Sequence, residues 1–166
     1  MQNCKRILVA VDGSPASRRA VNYVADLVGG QRGFHVGLVH LELPPRMLEW
    51  GGSDDPDVEE RVSAERGQTY GEMEREVVED SQTLMKRLQR PLVERKVDVT
   101  ARILRFDEPL EPTNIARDVL TIAREENYGT VAVGRQCFVG LKRLFGVHVG
   151  DELARAGDGA AIWVIE

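Results

Sequence analysis

The sequence predicts a three-layer α/β/α fold. A Rossmann-like, doubly wound sheet of five mainly parallel strands is covered on its two faces by about four helices in total. Short apolar, β-branched runs recur along the 166 residues, and most are followed by a segment with helical periodicity. Strands that alternate with helices favour a parallel sheet covered on both faces. The length suits one domain, predicted over residues 1–166.

The first unit is a strand, a tight turn and a helix. "KRILVAV" (5–11) is typical of a buried strand, and "DGSP" closes it. Ser14 can cap the next helix, and Pro15 suits the first helical position. "GGQRG" ends that helix. Its predicted apolar face consists of Ala20, Val21, Val24, Ala25, Leu27 and Val28.

The middle of the chain begins with "FHVGLVHLEL" (34–43), a second buried strand, and continues as a long loop and helical segment over about 44–97. Pro91 is expected to interrupt the helix near its end. Residues 42–80 hold thirteen acids and four arginines, a net charge of −9, which favours a solvated surface. The apolar positions of the predicted helix are Val77, Val78, Leu84, Met85, Leu88 and Val93.

Three further strands complete the sheet. They are "DVTARILRF" (98–106), "GTVAVG" (129–134) and "AAIWVI" (160–165). Helices precede the last two strands, the second of them in "VGDELARAG" (149–157). The first of these helices has an apolar face formed by Ile115, Ala116, Val119, Leu120, Ile122 and Ala123.

Composition argues against several classes of function. A net charge of −5 does not favour nonspecific binding to nucleic acid or to an anionic membrane. No apolar run reaches the length of a membrane span, and the start of the chain shows no cleavage site, so we expect a cytoplasmic protein. Cys4 and Cys137 are the only cysteines, which predicts reduced thiols and no metal site.

The loops after the first, second and fourth strands are the expected site of any ligand. In a doubly wound sheet the ligand crevice lies beyond the carboxyl ends of the strands, where the strand order reverses. The three loops begin with "VDGS", "HLEL" and "GRQCFVG".

Three segments together resemble the universal stress protein family. They are "RILVAVDGSPASRRAV", "VHLEL" and "VAVGRQCFVGLKRLFGVHVGDELARAGDGAAIWVI", which follow the family's order along nearly the whole chain. Residues 44–97 support the resemblance only by length and helicity. The resemblance implies a Rossmann-like α/β domain, usually a homodimer, in a family where some members bind ATP and others do not.

The resemblance also implies a phosphate loop, which this chain matches poorly. ATP-binding members carry G-x2-G-x9-G-(S/T) after the fourth strand. The register, fixed by "GLKRL" from Gly140, places Gly134 at the first glycine and Cys137 at the second. Val147 then replaces the third glycine, and His148 replaces the Ser or Thr. A β-branched residue at a position that needs positive φ costs about 1–3 kcal/mol, so we interpret the loop as degraded.

Some capacity to hold an anion or a base is nevertheless implied. Arg135 could supply positive charge, and His148 could donate a hydrogen bond to a phosphate. By the same resemblance the base and ribose would lie against the end of the first strand and beside the second, with further contacts next to the phosphate loop. These candidates are Ala10, Val11, Asp12, Val39, Val133 and Val149.

Two observations weigh against a bound triphosphate. The "DGS" turn of Asp12 is needed to begin the helix whether or not a ligand binds. After the third strand, Asp107, Glu108 and Glu111 add negative charge.

The functional prediction is therefore a regulatory or stress-response module with no expected cofactor, although ATP or AMP remains possible. The first alternative is a sensor that binds ATP or AMP. An enzyme acting on a nucleotide has less support, because the sequence contains neither an HxGH signature after the first strand nor GxxxxGK[ST]. A Cys137–His148 nucleophile pair would lack a third orienting group, and no catalytic residue is assigned.

The last strand predicts a homodimer. An unpaired apolar edge invites association, and in the family this strand commonly pairs with its copy. A monomer that buries Trp163 in its own core is the alternative, and an unknown regulatory protein is a further possible partner. The predicted dimer strand consists of Ala161, Ile162, Trp163, Val164 and Ile165.

Overall fold

A computed structural model describes residues 3–42, 70–105, 112–135, 149–157 and 159–166. Strands and helices alternate along these ranges, as the sequence predicts. The strands are β1 (Asn3–Val11), β2 (His35–Glu42), β3 (Asp98–Arg105), β4 (Tyr128–Gly134) and β5 (Ala161–Ile165). The helices are α1 (Pro15–Val28), α2 (Tyr70–Glu94), α3 (Pro112–Glu125) and α4 (Val149–Ala156).

All five strands are parallel and lie in the order β3-β2-β1-β4-β5. The chain therefore builds the sheet outward from β1 in one direction through β2 and β3, and then in the other through β4 and β5. The order reverses between β1 and β4, where Ala10 lies opposite Val133. The crevice expected from the sequence consequently lies beyond Val11 and Gly134.

The two faces of the sheet bury separate clusters of apolar side chains, one against α1 and α2 and the other against α3 and α4. The central strand β1 contributes to both, with Val9 and Val11 on the α1 side and Leu8 and Ala10 on the α3 side. A strand covered on both faces has no polar positions, which explains the unbroken apolar run that predicts it. The three-layer α/β/α prediction is confirmed.

Helix α1 begins as its sequence predicts and departs from the prediction at one apolar position. Ser14 is the N-cap, and its Oγ accepts from the backbone N–H of Ser17 at 3.3 Å, with Pro15 in the first turn. Leu27, which the sequence predicts on the apolar face, is 44% exposed. It lies at the margin of the buried face beside Tyr23, which is also exposed, because Val24 and Val28 already fill the space against the sheet.

Helix α2 continues through Pro91, so the predicted interruption is wrong. Proline removes one backbone hydrogen bond, but Leu88 and Leu92 are almost completely buried on either side of it, and their packing keeps the helix regular. The helix ends in a Schellman motif, in which Val97 N–H donates to Leu92 C=O at 3.0 Å. Lys96 takes the position usually held by glycine, with φ of 58°.

Other predictions for this segment are corrected or lie outside the described residues. Val93 was predicted to be apolar core and is 59% exposed, since it faces away from the sheet. Three predicted features lie outside the described residues: the side chains of Val77 and Val78, the loop from Pro44 to about Pro56, and the first part of the helix, up to residue 69. No helix within the described ranges is both long enough and apolar enough to span a membrane.

We expect Leu88→Ala to destabilise the protein by about 2–5 kcal/mol, because it leaves a cavity beneath α2. Val93→Ala, five residues along the same helix, should change stability by no more than about 0.5 kcal/mol, because Val93 is largely in solvent. Urea unfolding followed by circular dichroism measures both. Equal losses for the two variants would mean that the helix packs by a different face.

Candidate functional site

The candidate crevice is bounded by the carboxyl ends of β1 and β4, so the structure brings Val11, Asp12, Gly134 and Arg135 to one edge of the sheet. The side chains that precede Asp12 on β1 and Gly134 on β4 are not available to a ligand. Ala10, Val11 and Val133 are each 0% exposed and belong to the core. Of these three predicted contacts, only backbone groups at the strand ends could reach a bound molecule.

Asp12 forms the turn that begins α1. Its Oδ1 accepts from the backbone N–H of Ser14 at 2.9 Å and from the hydroxyl of Ser17 at 2.6 Å. The Asp12 N–H donates in turn to Ser17 Oγ at 2.7 Å. The serine hydroxyl is itself 0% exposed. This side chain therefore has a structural task that accounts for its presence in the sequence.

Gly134 is required by packing. A Cβ built at this position would lie 2.5 Å from the backbone oxygen of Ala16, because β4 ends directly against the first turn of α1. Only a residue without a side chain permits that approach. The glycine that begins the family's phosphate pattern thus has a cause within the fold.

Arg135 is held between β4 and the last residue of the chain. Its backbone N–H donates to Ile165 C=O at 2.8 Å, and its guanidinium lies 2.7 Å from the Glu166 carboxylate. Both side chains are more than half exposed, so the ion pair contributes about 0–1 kcal/mol to stability. Its main consequence is that an acid accompanies the one cation predicted to attract phosphate.

Helix α4 begins at the same edge with a buried apolar residue and two acids. Val149 is 2% exposed, and Asp151 and Glu152 occupy the first turn. Carboxylates near a helix N-terminus interact favourably with its dipole, so they take the role that a bound anion would have. Glu152 is also bonded to Arg155 at 2.8 Å.

Val39, predicted beside the adenine, is 1% exposed and packs in the core on the α3 side. The remaining predicted residues lie outside the described part of the chain. These are Cys137, Gly140, Val147 and His148 of the phosphate loop and Asp107, Glu108 and Glu111 after β3.

His40 is a contact at this edge that the sequence does not single out. Its Nδ1 lies 3.1 Å from Val11 C=O, and since a carbonyl only accepts, Nδ1 carries the proton. Its Nε2 lies 3.3 Å from Ser81 Oγ on α2. The ring is 8% exposed and fixes the last carbonyl of β1. A histidine inside an apolar strand gives no sign of this partner, which is 29 residues away.

The described residues include no group of three or more His, Cys, Asp or Glu side chains placed to hold a metal ion. What the described edge offers a ligand is therefore backbone groups, the exposed Arg135–Glu166 pair and the start of α4.

Solved structures share this fold at low sequence identity. A universal stress protein from Burkholderia pseudomallei is 17% identical, with a TM-score of 0.66 over 98% of this chain and 96% of its own. A universal stress protein in complex with cAMP is 13% identical, with a TM-score of 0.59 over 97% of this chain and 95% of its own. One from Archaeoglobus fulgidus in complex with dAMP is 17% identical, with a TM-score of 0.53 over 97% of both chains.

Identities this low establish the fold alone. No curated protein matches the chain significantly. The sequence profile of the universal stress protein family, by contrast, matches residues 3–158, which is nearly the full length. The alternating elements, the strand order and this match agree, and the chain belongs to the universal stress protein family.

Proposed function

We propose that this protein is a regulatory or stress-response module that does not bind ATP robustly. The observation that carries the proposal is that the groups at the carboxyl ends of β1 and β4 already have partners or packing roles within the protein. Asp12 is bonded to the start of α1, Gly134 is needed for packing, and Arg135 is paired with Glu166. Each has a role that requires no nucleotide.

The charge at this edge also opposes a triphosphate. A phosphate that approached α4 would meet the Asp151 carboxylate in the first turn, beside Glu152, which is paired with Arg155. Like charges at such short range repel each other. An anion that recruited Arg135 would have to compete with Glu166. The sequence adds Cys137 and Val147 at two positions where the family's pattern has glycine.

We expect the purified protein to carry no stoichiometric nucleotide. Heat denaturation followed by chromatography of the supernatant should release none, and calorimetric titration with ATP should detect no binding at low micromolar concentration. Stoichiometric release, or a low-micromolar Kd, would overturn the proposal.

Gly134→Ala should destabilise the protein by about 1–3 kcal/mol, because its new methyl group meets the backbone of Ala16. Gly150→Ala is the matched control, since its Cβ would lie at an ordinary contact distance of 3.5 Å from Val133. It should be neutral or up to about 1 kcal/mol more stable, because alanine favours a helix. Chemical denaturation without nucleotide measures both, and an unchanged stability for Gly134→Ala would return this glycine to a ligand-binding role.

A sensor of a nucleoside monophosphate is the second candidate. The strand order reverses at this edge, where doubly wound sheets bind ligands, and relatives with the same fold were solved with cAMP and with dAMP. A single phosphate places less charge near the acids of α4. Titration with AMP beside ATP separates the candidates, because the sensor would bind AMP and the proposed module would bind neither.

We also propose that the protein forms a homodimer through β5 and acts in the cytoplasm on a protein partner, without enzymatic activity. Within the described sheet β5 pairs only with β4, and its residues from Ile162 to Ile165 remain partly exposed. Trp163 packs against the core on the α1 side without being fully buried, so it leaves apolar surface at the edge. Such an edge is a template for a second strand.

We expect Val164→Pro to weaken the dimer. Ile165 C=O accepts from β4, and backbone groups alternate sides along a strand, so the Val164 N–H points to the free edge. Two-fold symmetry would remove two hydrogen bonds, about 1–3 kcal/mol in total. Sedimentation velocity measures the change.

Val164→Ala is the control, because it shortens the side chain and keeps the N–H. It should remain dimeric, while circular dichroism confirms that both variants fold. A wild-type monomer, or an undisturbed Val164→Pro dimer, would exclude pairing through this edge.

A further inference from the structure

A cavity of about 200 Å³, open to solvent on one side, lies on the α3 side of the sheet, away from the crevice. Side chains of Leu8 on β1, Val39 on β2 and Ile122 on α3 give it an apolar lining. Tyr128, the first residue of β4, and Glu126, just after α3, place it toward the amino ends of the strands. We call it the β2–β3 cavity.

Gly37 makes room for the Tyr128 side chain, which forms one wall of this cavity. A Cβ at Gly37 would collide with the Tyr128 hydroxyl, so the glycine allows the tyrosine to cross over β2. The Tyr128 ring is 1% exposed, and the Arg6 guanidinium lies 4.7 Å from the ring centroid. Arg6 is fixed by a bond from its Nε to Glu126 C=O at 3.2 Å. The wall formed by Tyr128 is therefore rigidly supported.

A chain of hydrogen bonds fixes two hydroxyl groups beside the cavity. His35 Nδ1 lies 2.8 Å from Asp98 Oδ2, while its Nε2 lies 3.2 Å from Thr100 Oγ1 and 3.3 Å from the Tyr128 hydroxyl. A carboxylate accepts, so Nδ1 carries a proton. Asp98 thus orients the ring, and the ring positions both hydroxyls.

The two hydroxyl groups have more protons to donate than His35 Nε2 can accept. A neutral His35 has one lone pair at Nε2, so it can accept from only one of the two hydroxyls. If the ring is protonated, Nε2 donates and both hydroxyl protons remain. Within the described residues neither Thr100 nor Tyr128 has another side-chain acceptor for its hydroxyl proton. Tyr128 is buried and Thr100 is exposed. When the ring is protonated, or when Tyr128 donates to a neutral ring, the Thr100 hydroxyl keeps a proton that it can donate to a ligand.

An ion pair at the side of the cavity provides both hydrogen-bond donors and hydrogen-bond acceptors. Arg102 Nη2 lies 2.7 Å from Glu126 Oε1, and both residues line the cavity. The guanidinium has five N–H groups and the carboxylate about four acceptor sites, so one contact leaves most of them unused. A ligand with a donor beside an acceptor would match this edge, whereas a charged ligand would be attracted by one of the two groups and repelled by the other.

The volume of the cavity suits a ligand of one ring. At about 30 Å³ for each water molecule, the cavity has room for about seven waters. It is smaller than the roughly 300–1,000 Å³ of pockets for drug-sized ligands, so it encloses about one ring and would leave the rest of a larger ligand in solvent. We propose that the β2–β3 cavity binds a neutral single-ring carboxamide or lactam, its ring between Ile122 and the aliphatic stem of Arg102 and its amide toward Thr100, the Arg102 guanidinium and Glu126.

Benzamide is the probe, added to the full-length ¹⁵N-labelled protein and followed by NMR. We expect saturable shifts at the amides of Thr100, Arg102 and Tyr128, with a Kd of about 1 mM for so small a ligand. Toluene, which has the ring without the amide, should bind at least about threefold more weakly. No saturation by about 10 mM benzamide, or equal binding of toluene, would overturn the proposal.

Thr100→Val removes one hydroxyl and keeps the shape of the side chain at an exposed strand position that tolerates valine. It should raise the Kd about 2- to 10-fold, the range for one hydrogen bond. Thr121→Val, on the exposed side of α3, is the matched control and should not change it.

Glu126→Gln gives a second test that does not depend on β3, and it should also weaken binding. Wild-type affinity in both Thr100→Val and Glu126→Gln would exclude the assigned contacts. Because none of these residues belongs to the crevice, ATP or AMP should not displace benzamide, and the result is independent of nucleotide binding there.

Discussion

The burial of β1 on both faces is the constraint on which the rest of the structure depends. This strand lies at the centre of the sheet, and its side chains from Ile7 to Val11 are at most 2% exposed. Helices must cover both sides of such a strand. Helix α1, which connects β1 to its neighbour β2, covers one face, and helix α3, which leads to its other neighbour β4, covers the opposite face. The reversal of strand order, and with it the crevice, follows from this arrangement.

The same burial explains why so much of the fold is predictable from sequence. A strand buried on both faces is an unbroken apolar run, and a helix on the surface of a sheet repeats apolar residues every three to four positions. The predictions that failed rest on local sequence patterns, which do not include the packing of a helix against the sheet. Pro91 should end a helix, but Leu88 and Leu92 hold it against the sheet. Leu27 and Val93 have the right residue type but lie beyond the buried faces.

The candidate site was less predictable because sequence gives residue types without their partners. Gly134 fits a phosphate pattern and also a packing constraint from Ala16, which is 118 positions earlier in the chain. Arg135 is basic, yet its charge is balanced by Glu166. His35 looks like an ordinary strand residue until β3 and β4 bring Asp98, Thr100 and Tyr128 to it. Long-range pairing decides the role of each of these residues.

The two edges of the described sheet differ in a way that limits assembly. The β3 edge presents the exposed charges of Asp98 and Arg102, whereas the β5 edge presents Ile162 and Val164. Charged side chains deter strand addition, and apolar ones permit it. If two copies pair through β5, as proposed, both outer edges of the resulting ten-stranded sheet are β3 edges, so growth would stop there and could not extend into a fibre.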